Sequence, residues 1–367
     1  MVPSICHTDG NGIFRNPVTN KTSRRKMKIM WPLVLGRKNL FQKVVPSAEV
    51  VKKTKRWATD IEEWGKREGT KEATIQRLEI YNRLGQKVTK VRGGQPVRIR
   101  VWFRVHESIK DFHFGIAIFR EDGVYCYGPN TQFDGIRFKK MTPGEGIFEL
   151  RITKWLFSRG LYFLSAAIWD AKETLAYDYH KCRYKLEGEG TPSQGALVNL
   201  VSEWKTDSAR QSLGIPALDS LIDKWGGALQ GTRLRIDSLS TLNRYNHKET
   251  TFVTGREMKI KIEVTAEARQ GDACGPYMLW VGLYRADGIY CHGSTKAILP
   301  GTRTEIVSYP QLVLLPGEYR VSAGIWDKDT PQCTTYSHGI QTFHMVSEKC
   351  DHGTVYLSHR WKWKIPR

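Results

Sequence analysis

No apolar run in this 367-residue chain reaches the length of about 20 residues that a helix needs to cross a bilayer. The longest stretches, such as Phe163 to Trp169, fall far short, which excludes a helical membrane channel. Cysteine is scarce and unpatterned: the seven stand at positions 6, 126, 182, 274, 291, 333 and 350. That odd count, with no CxxC pair and no tight Cys/His cluster, gives a zinc site no support. Free thiols in a reducing compartment are the simplest account, and they point to the cytoplasm. Catalytic fingerprints are missing as well. There is no GxxxxGK[ST] phosphate loop, no GxSxG, no HExxH and no nicotinamide motif. Acidic residues are scattered, whereas glycoside hydrolysis needs two carboxylates facing each other. The expectation is a protein that is not an enzyme and carries no cofactor and no metal.

Positive charge and aromatic rings are present in quantity. Lys and Arg number 57 against 37 Asp and Glu, a net charge of +20, and 12 Trp, 15 Tyr and 13 Phe supply cores and stacking surfaces. With 40% hydrophobic and 26% charged residues the composition is that of a globular protein. The charge is uneven. Residues 1–57 carry Arg24, Arg25, Lys26, Lys28, Lys52, Lys53, Lys55 and Arg56 among their basic residues, against only Asp9 and Glu49. This segment reads as a poorly ordered basic extension that favours anionic partners or an acidic membrane surface. A secretory signal does not fit, because no continuous apolar segment follows the basic run.

An internal repeat organises the rest. Arg120-Glu-Asp122-Gly123-Val124-Tyr125-Cys126-Tyr127-Gly128 recurs as Arg285-Ala-Asp287-Gly288-Ile289-Tyr290-Cys291-His292-Gly293. Gly160-Leu-Tyr162 with Ser165-Ala166 and Ile168-Trp169-Asp170 recurs as Gly317-Glu-Tyr319 with Ser322-Ala323 and Ile325-Trp326-Asp327. Trp64-Gly65 parallels Trp225-Gly226, and Val198, Leu200 and Trp204 parallel Val355, Leu357 and Trp361. A period this long describes two complete domains, not a solenoid. The division is 1–57 extension, 58–205 first repeat, 206–219 linker and 220–367 second repeat.

Within each repeat the apolar period is two, the signature of strands with one dry face. Val97, Ile99, Val101 and Phe103 alternate with Arg98, Arg100, Trp102 and Arg104; Met258, Ile260, Ile262 and Val264 alternate with Lys259, Lys261 and Glu263. Asp122-Gly123 and Asp287-Gly288 are hairpin signals, because glycine accepts the positive φ of tight turns. Helix is plausible only near Trp57–Trp64 and Ala217–Lys224. The fold class is all-β: two tandem antiparallel β-sandwiches of immunoglobulin-like type behind a basic N-terminal extension.

These residues also carry a family resemblance. Trp64-Gly65 with Ile75 and Leu78, Gly115-Ile-Ala-Ile-Phe-Arg-Glu-Asp122-Gly123 with Gly128-Pro-Asn130-Thr131, Gly160-Leu-Tyr162 with Ile168-Trp169-Asp170, and a closing Val198–Trp204 strand recur in large part in the second repeat. Both repeats resemble the C-terminal carbohydrate-binding domain of the ATPase subunit in polysaccharide-exporting ABC transporters of the O-antigen and teichoic-acid type. The resemblance implies immunoglobulin-like sandwiches that recognise the end of a cytoplasmic lipid-linked glycan before export. It also implies an ABC exporter ATPase or permease as partner and a place at the inner face of the membrane. The missing phosphate loop, the tandem copies and the basic leader depart from that family's usual arrangement.

Sugar recognition needs flat aromatic faces bordered by polar groups. Trp102, on the polar side of a regular strand between Arg100 and Arg104, is the sharpest candidate. Trp280, beside Tyr284, is comparable. Trp169 and Trp326 occupy equivalent places, though their neighbours Ile168 and Ile325 make the strand phase ambiguous and favour core packing. Tyr127 and His292 occupy matching positions, where their difference would let two domains read different sugars. Arg100, Arg104, Lys259 and Lys261 suit phosphate or uronate, while Asp170 and Asp327 suit either sugar hydroxyls or, more simply, turn capping. The rival reading is a basic adaptor for nucleic acid, an acidic membrane or a protein partner, with homo-oligomer contacts on the outer faces.

Overall fold

The computed structural model describes residues 61–190, 196–204, 227–229, 231, 233–267, 277–327, 333–348 and 350–366. The basic leader, the 206–219 linker and the 217–224 helix expectation lie outside them. The described chain is all-β apart from one short 3-10 turn, Ile61–Glu63, where the sequence allowed a helix. No helix among the described residues is long and apolar enough to cross a membrane.

The strands form four sheets, a large and a small one for each repeat. In the first half the small sheet runs Ala73–Tyr81, Val97–Val105, Gly144–Ile152 and then His359–Lys364. The large sheet is built around Ile109–Arg120, Gly160–Asp170 and Ala176–Glu189, with Tyr125–Gly128 and His352–Gly353 at one edge. The second half repeats this with Leu234–Leu242, Met258–Ala266, Gly301–Tyr309 and Glu203–Trp204 as its small sheet. Its large sheet is built around Tyr277–Arg285, Tyr290–Ile298, Gly317–Asp327 and Cys333–Val346.

The alternating pattern does what two-residue periodicity requires. Val97, Ile99, Val101 and Phe103 are buried, as are Met258, Ile260, Ile262 and Val264. In the first half the two sheets meet through aromatic rings: Phe114 stacks on Phe148 at 4.3 Å and lies 5.3 Å from Phe103. Burying each such side chain contributes on the order of 2 kcal/mol.

The repeated Arg-x-Asp-Gly-x-Tyr-Cys-x-Gly motif is a hairpin device. Arg120 Nη2 holds Asp122 at 2.7 Å, and Gly123 takes φ +85°. The Tyr125 ring then folds back over Gly128, where an added Cβ would lie 1.7 Å from the phenol oxygen. Arg285, Asp287, Gly288, Tyr290 and Gly293 repeat every step. Cys126 and Cys291 are buried free thiols beneath these turns, and burial pushes each thiol well up, Cys291 to about 12.

The closing strands are exchanged between the halves. Residues 196–204 leave the first half at the Phe157–Val198 bridge, and Leu197 N–H and Val198 N–H then donate to Tyr290 O and Cys291 O, both at 3.0 Å. Glu203–Trp204 ends as an edge strand of the second small sheet. Reciprocally, the chain on both sides of the Leu314–Val355 bridge meets the first half: Gly353 pairs with Tyr127, Val355 N–H donates to Cys126 O at 3.1 Å, and His359–Lys364 pairs with Gly144–Ile152. The expected closing strand of the first repeat therefore closes the sheet of the second. Local sequence holds no information on this point, because an alternating strand fits the edge of either copy equally well.

Candidate functional site

The outer face of the first small sheet carries the candidate site. Because Val97, Ile99, Val101 and Phe103 point inward, Arg98, Arg100, Trp102 and Arg104 point out, and the strand registers order their neighbours in rows. One row is Tyr81, Arg98, Arg151 and Arg360. The next is Glu79, Arg100, Glu149 and Lys362, and the third is Arg77, Trp102, Ile147 and Lys364.

Trp102 is partly exposed, with the Arg77 guanidinium 4.1 Å above its ring and Arg100 5.7 Å away. Arg100 also lies 5.0 Å from the Tyr81 ring, and Arg98 lies 5.8 Å from it. The result is an alternation of aromatic and guanidinium planes, an arrangement that cation–π attraction stabilises by about 0.5–1 kcal/mol per contact at a wet surface. Buried Glu149 anchors the middle: its carboxylate accepts from Arg100 Nε at 2.7 Å and from Arg151 Nε at 2.5 Å. Burial by itself raises the Glu149 pKa, but the two guanidinium groups outweigh it and hold the carboxyl below its ordinary value. Arg104 pairs with exposed Glu145 at 2.6 Å. Chemically, the face offers the aromatic planes of Trp102 and Tyr81 and a surplus of charged hydrogen-bond donors.

The second small sheet lacks this arrangement. In the repeat alignment Glu263 stands where Trp102 does, and its carboxylate takes Lys261 Nζ at 2.7 Å. Lys259 is buried, with its ammonium on Arg244 O at 2.7 Å and Asn246 Oδ1 at 3.0 Å. Its charge is used inside the fold.

The remaining candidates lie elsewhere. Trp280 is 1% exposed, ringed by Tyr284, Tyr290 and Tyr336 at 6.0–6.4 Å, and presents no open face. Tyr284 is buried and stacks on Tyr290 at 5.0 Å. Trp169 is buried on the far side of the first large sheet, 5.7 Å from Tyr179, while Ile168 faces the main core, which resolves the strand phase. The Trp326 backbone pairs with Met278 and Cys333, and its side chain is outside the description. Asp170 caps its turn, accepting from Thr174 N–H at 2.7 Å and Leu175 N–H at 2.8 Å.

Tyr127 and His292 face inward and hold the exchanged strands. Tyr127 Oη donates to Leu357 O at 2.8 Å and lies 2.6 Å from His359 Nδ1. His359 Nε2 and Trp361 Nε1 both reach Asp134 Oδ2, at 2.7 and 2.8 Å. Burial lowers the His359 pKa, but the Asp134 hydrogen bond and charge overcome it, and the net shift is upward. At the other crossing His292 Nδ1 contacts Val198 O at 3.1 Å, and Trp204 Nε1 donates to Ser294 Oγ at 3.0 Å. Burial pulls the His292 pKa down to about 4.

Sequence reading found Arg100, Trp102 and Arg104 but missed Arg77, Tyr81, Glu149 and Arg151, and above all Arg360, Lys362 and Lys364. The alternation His-Arg-Trp-Lys-Trp-Lys at 359–364 was the available signal for a half-wet strand. Which sheet it would join was not written there. Among the described residues no group of three or more His, Cys, Asp or Glu side chains is placed to hold a metal.

The fold and face define an all-β protein whose two halves complete each other's sheets, with one basic, aromatic sheet surface. Residues 65–200 match the family model of the Wzt C-terminal domain, which associates this part of the chain with that family. No curated protein matches the chain. Among solved structures, the crystal structure of the C-terminal domain of wzt is similar at 18% identity, covering 40% of this chain and 88% of that one with a TM-score of 0.33. The collagen adhesin (CNA) from S. aureus is similar at 5% identity over 81% of this chain and 97% of that one, TM-score 0.22. The Streptococcus agalactiae AgI/II polypeptide BspA C-terminal domain is similar at 9% identity over 73% and 98%, TM-score 0.20.

Proposed function

We propose that this protein is a non-catalytic recognition module for a cell-surface polysaccharide or lipid-linked glycan during its assembly or export. In this reading the two halves are immunoglobulin-like sandwiches, corresponding to repeats 58–205 and 220–367. They work in the cytoplasm at the inner face of the membrane, beside the ATPase or permease of an ABC exporter. The observation that carries the reading is Trp102, a partly exposed indole among charged side chains of the sheet face, within the segment matched to the Wzt C-terminal domain.

A sugar ring stacks its C–H face on an indole, and neighbouring donors satisfy its hydroxyls. Arg77, whose side chain is half exposed and pairs with Glu79 at 3.8 Å, lies over that indole, so in this reading a stacking sugar ring takes its place. Arg100 is held in place by Glu149, so its donors are already oriented when a ligand arrives.

The experiment is a glycan-array screen of the full-length protein at low and moderate salt, beside Trp102→Ala and Trp280→Ala. Saturable, salt-tolerant binding lost in Trp102→Ala supports the reading. Binding only to polyanions, collapsing with salt and indifferent to both substitutions, transfers the function to a basic surface for nucleic acid or an acidic membrane.

A further inference from the structure

The first small sheet sets like charges abreast. Arg98 stands opposite Arg151, and Arg151 opposite Arg360, on three neighbouring strands that lie about 4.8 Å apart. Like charges directly opposite one another destabilise a sheet. Arg151 is compensated by Glu149, whereas among the described residues no carboxylate forms an ion pair with Arg98 or Arg360. The Arg98 guanidinium lies against the Tyr81 ring and the Gly85 turn, and it would turn back along the sheet to share an anion with Arg151 and Arg360. A guanidinium fork also matches the two oxygens of a carboxylate or phosphate better than an ammonium does.

The row lies four strand positions from Trp102, about 13 Å along the strand. That separation suits an oligosaccharide, not a single sugar. The cations between and beside them, Lys362 and Lys364, are carried like Arg360 by the C-terminal strand that crosses from the second half. The equivalent edge strand of the second small sheet, Glu203–Trp204, brings a carboxylate instead. The strand exchange therefore makes the two faces different: it completes a cationic row on one and not on the other.

Resting on the glycan reading above, we infer that this face is a site for an acidic glycan. One sugar ring lies on Trp102, and an anionic substituent, carboxylate or phosphate, sits on the Arg98–Arg151–Arg360 row, with Arg360 supplied by the C-terminal strand. The fold thereby ties ligand selection to the pairing of the two halves.

The test uses the full-length protein and isothermal titration with matched pairs of probes. One pair is an oligogalacturonate and its carboxyl-reduced, neutral counterpart; the other is a phosphomannan oligosaccharide and its dephosphorylated counterpart. Single-stranded DNA and phosphatidylglycerol vesicles complete the set. The variants are Arg98→Gln, Arg360→Gln, their double, Trp102→Ala, and Lys261→Gln as a control on the second sheet; circular dichroism checks that each is folded. The expected result is an acidic member binding about tenfold or more tightly than its neutral counterpart, the scale of a charged hydrogen bond. The double variant erases that advantage, Arg360→Gln alone erodes it, and Lys261→Gln keeps it. The pair that shows the effect identifies carboxylate or phosphate. Equal affinity for acidic and neutral members, both lost in Trp102→Ala, overturns the anion site while leaving glycan recognition standing. DNA or vesicles binding as well as the acidic glycans, with Trp102→Ala indifferent, overturns both. Absence of binding to every probe overturns the inference as well.

Discussion

The outer faces of the two small sheets stand at equivalent places of the repeat and carry different side chains. On the first, Trp102 lies at the surface beneath Arg77, and Glu149 in the neighbouring row holds Arg100. On the second, Glu263 replaces the indole and takes up Lys261, while Lys259 is drawn into the fold. The central strands beneath both faces keep the same inward apolar positions, Val97, Ile99, Val101 and Phe103 in one and Met258, Ile260, Ile262 and Val264 in the other. A repeat thus preserves the dry face, which both cores need, and lets the wet face diverge, where a substitution costs little stability.

The same contrast runs through the buried polar groups. Asp178 pairs with Ile168, and Thr335 with the matching Ile325, so the two occupy one position of the repeat. Asp178 accepts from Ile75 N–H at 2.6 Å and from Arg67 Nη2 at 2.8 Å, and Lys71 Nζ lies at 2.5 Å. Thr335 instead donates to Leu234 O and accepts from Gly231 N–H at 3.0 Å. Asp178→Asn leaves two half-exposed cations facing a neutral amide and is expected to destabilise the first half by about 2 kcal/mol, the scale of hydrogen bonds to a charged group. Thr335→Val is expected to cost the second half about 1 kcal/mol. Denaturant midpoints read by site-resolved amide exchange check both, and equal losses would erase the contrast.

A second way to sharpen the comparison is functional. Trp102→Ala is expected to weaken glycan binding about tenfold or more, a loss of roughly 1.4 kcal/mol or above, while Glu263→Ala leaves it unchanged. Titration of the glycan selected on the array measures this; a loss in Glu263→Ala would show that both faces bind.

A third concerns the crossings. Tyr127→Phe removes the phenol that holds Leu357 O and His359, and is expected to loosen the C-terminal strand by about 1–2 kcal/mol. Faster amide exchange along 359–364, with no change along 203–204, is the outcome to look for.

The smallest effect separates the crossings by pH. His359 titrates above its ordinary value when folded, so its contribution is complete below about pH 6.5 and is lost as pH rises through the raised value. His292 is held down to about 4, so its crossing keeps full stability above about pH 6.5 and loses it as pH falls toward 4. Acidification from pH 7 to 5.5 should therefore slow exchange near Trp361 and speed it near Leu200, by about 1 kcal/mol or less each. The reading must be local, because burial also holds His113 and His352 down to about 4 in and against the first half. Shifts of the same sign at both crossings would overturn the assignment.

Much of this was legible in the residues. Strict alternation from Val97 to Phe103 placed a strand with a dry face, and the outward position of Trp102 followed from the same parity. The Asp-Gly pairs marked the hairpins because glycine accepts a positive φ at Gly123 and Gly288. Trp280 could not be placed the same way. It lies in a stretch where every residue is buried, so parity gave no clue that other rings enclose it.

What the sequence by itself determined was local: the strands, their turns, the repeat, and which side of each strand is apolar. These follow from side-chain period and backbone sterics, which act between near neighbours. Only the tertiary structure decided which sheet each closing strand joins, and so that Arg360 stands beside Arg151 and that Tyr127 and His292 face the crossings. Strand pairing is set by contacts between residues far apart in the chain, and two edges of the same repeat offer a closing strand nearly the same hydrogen bonds.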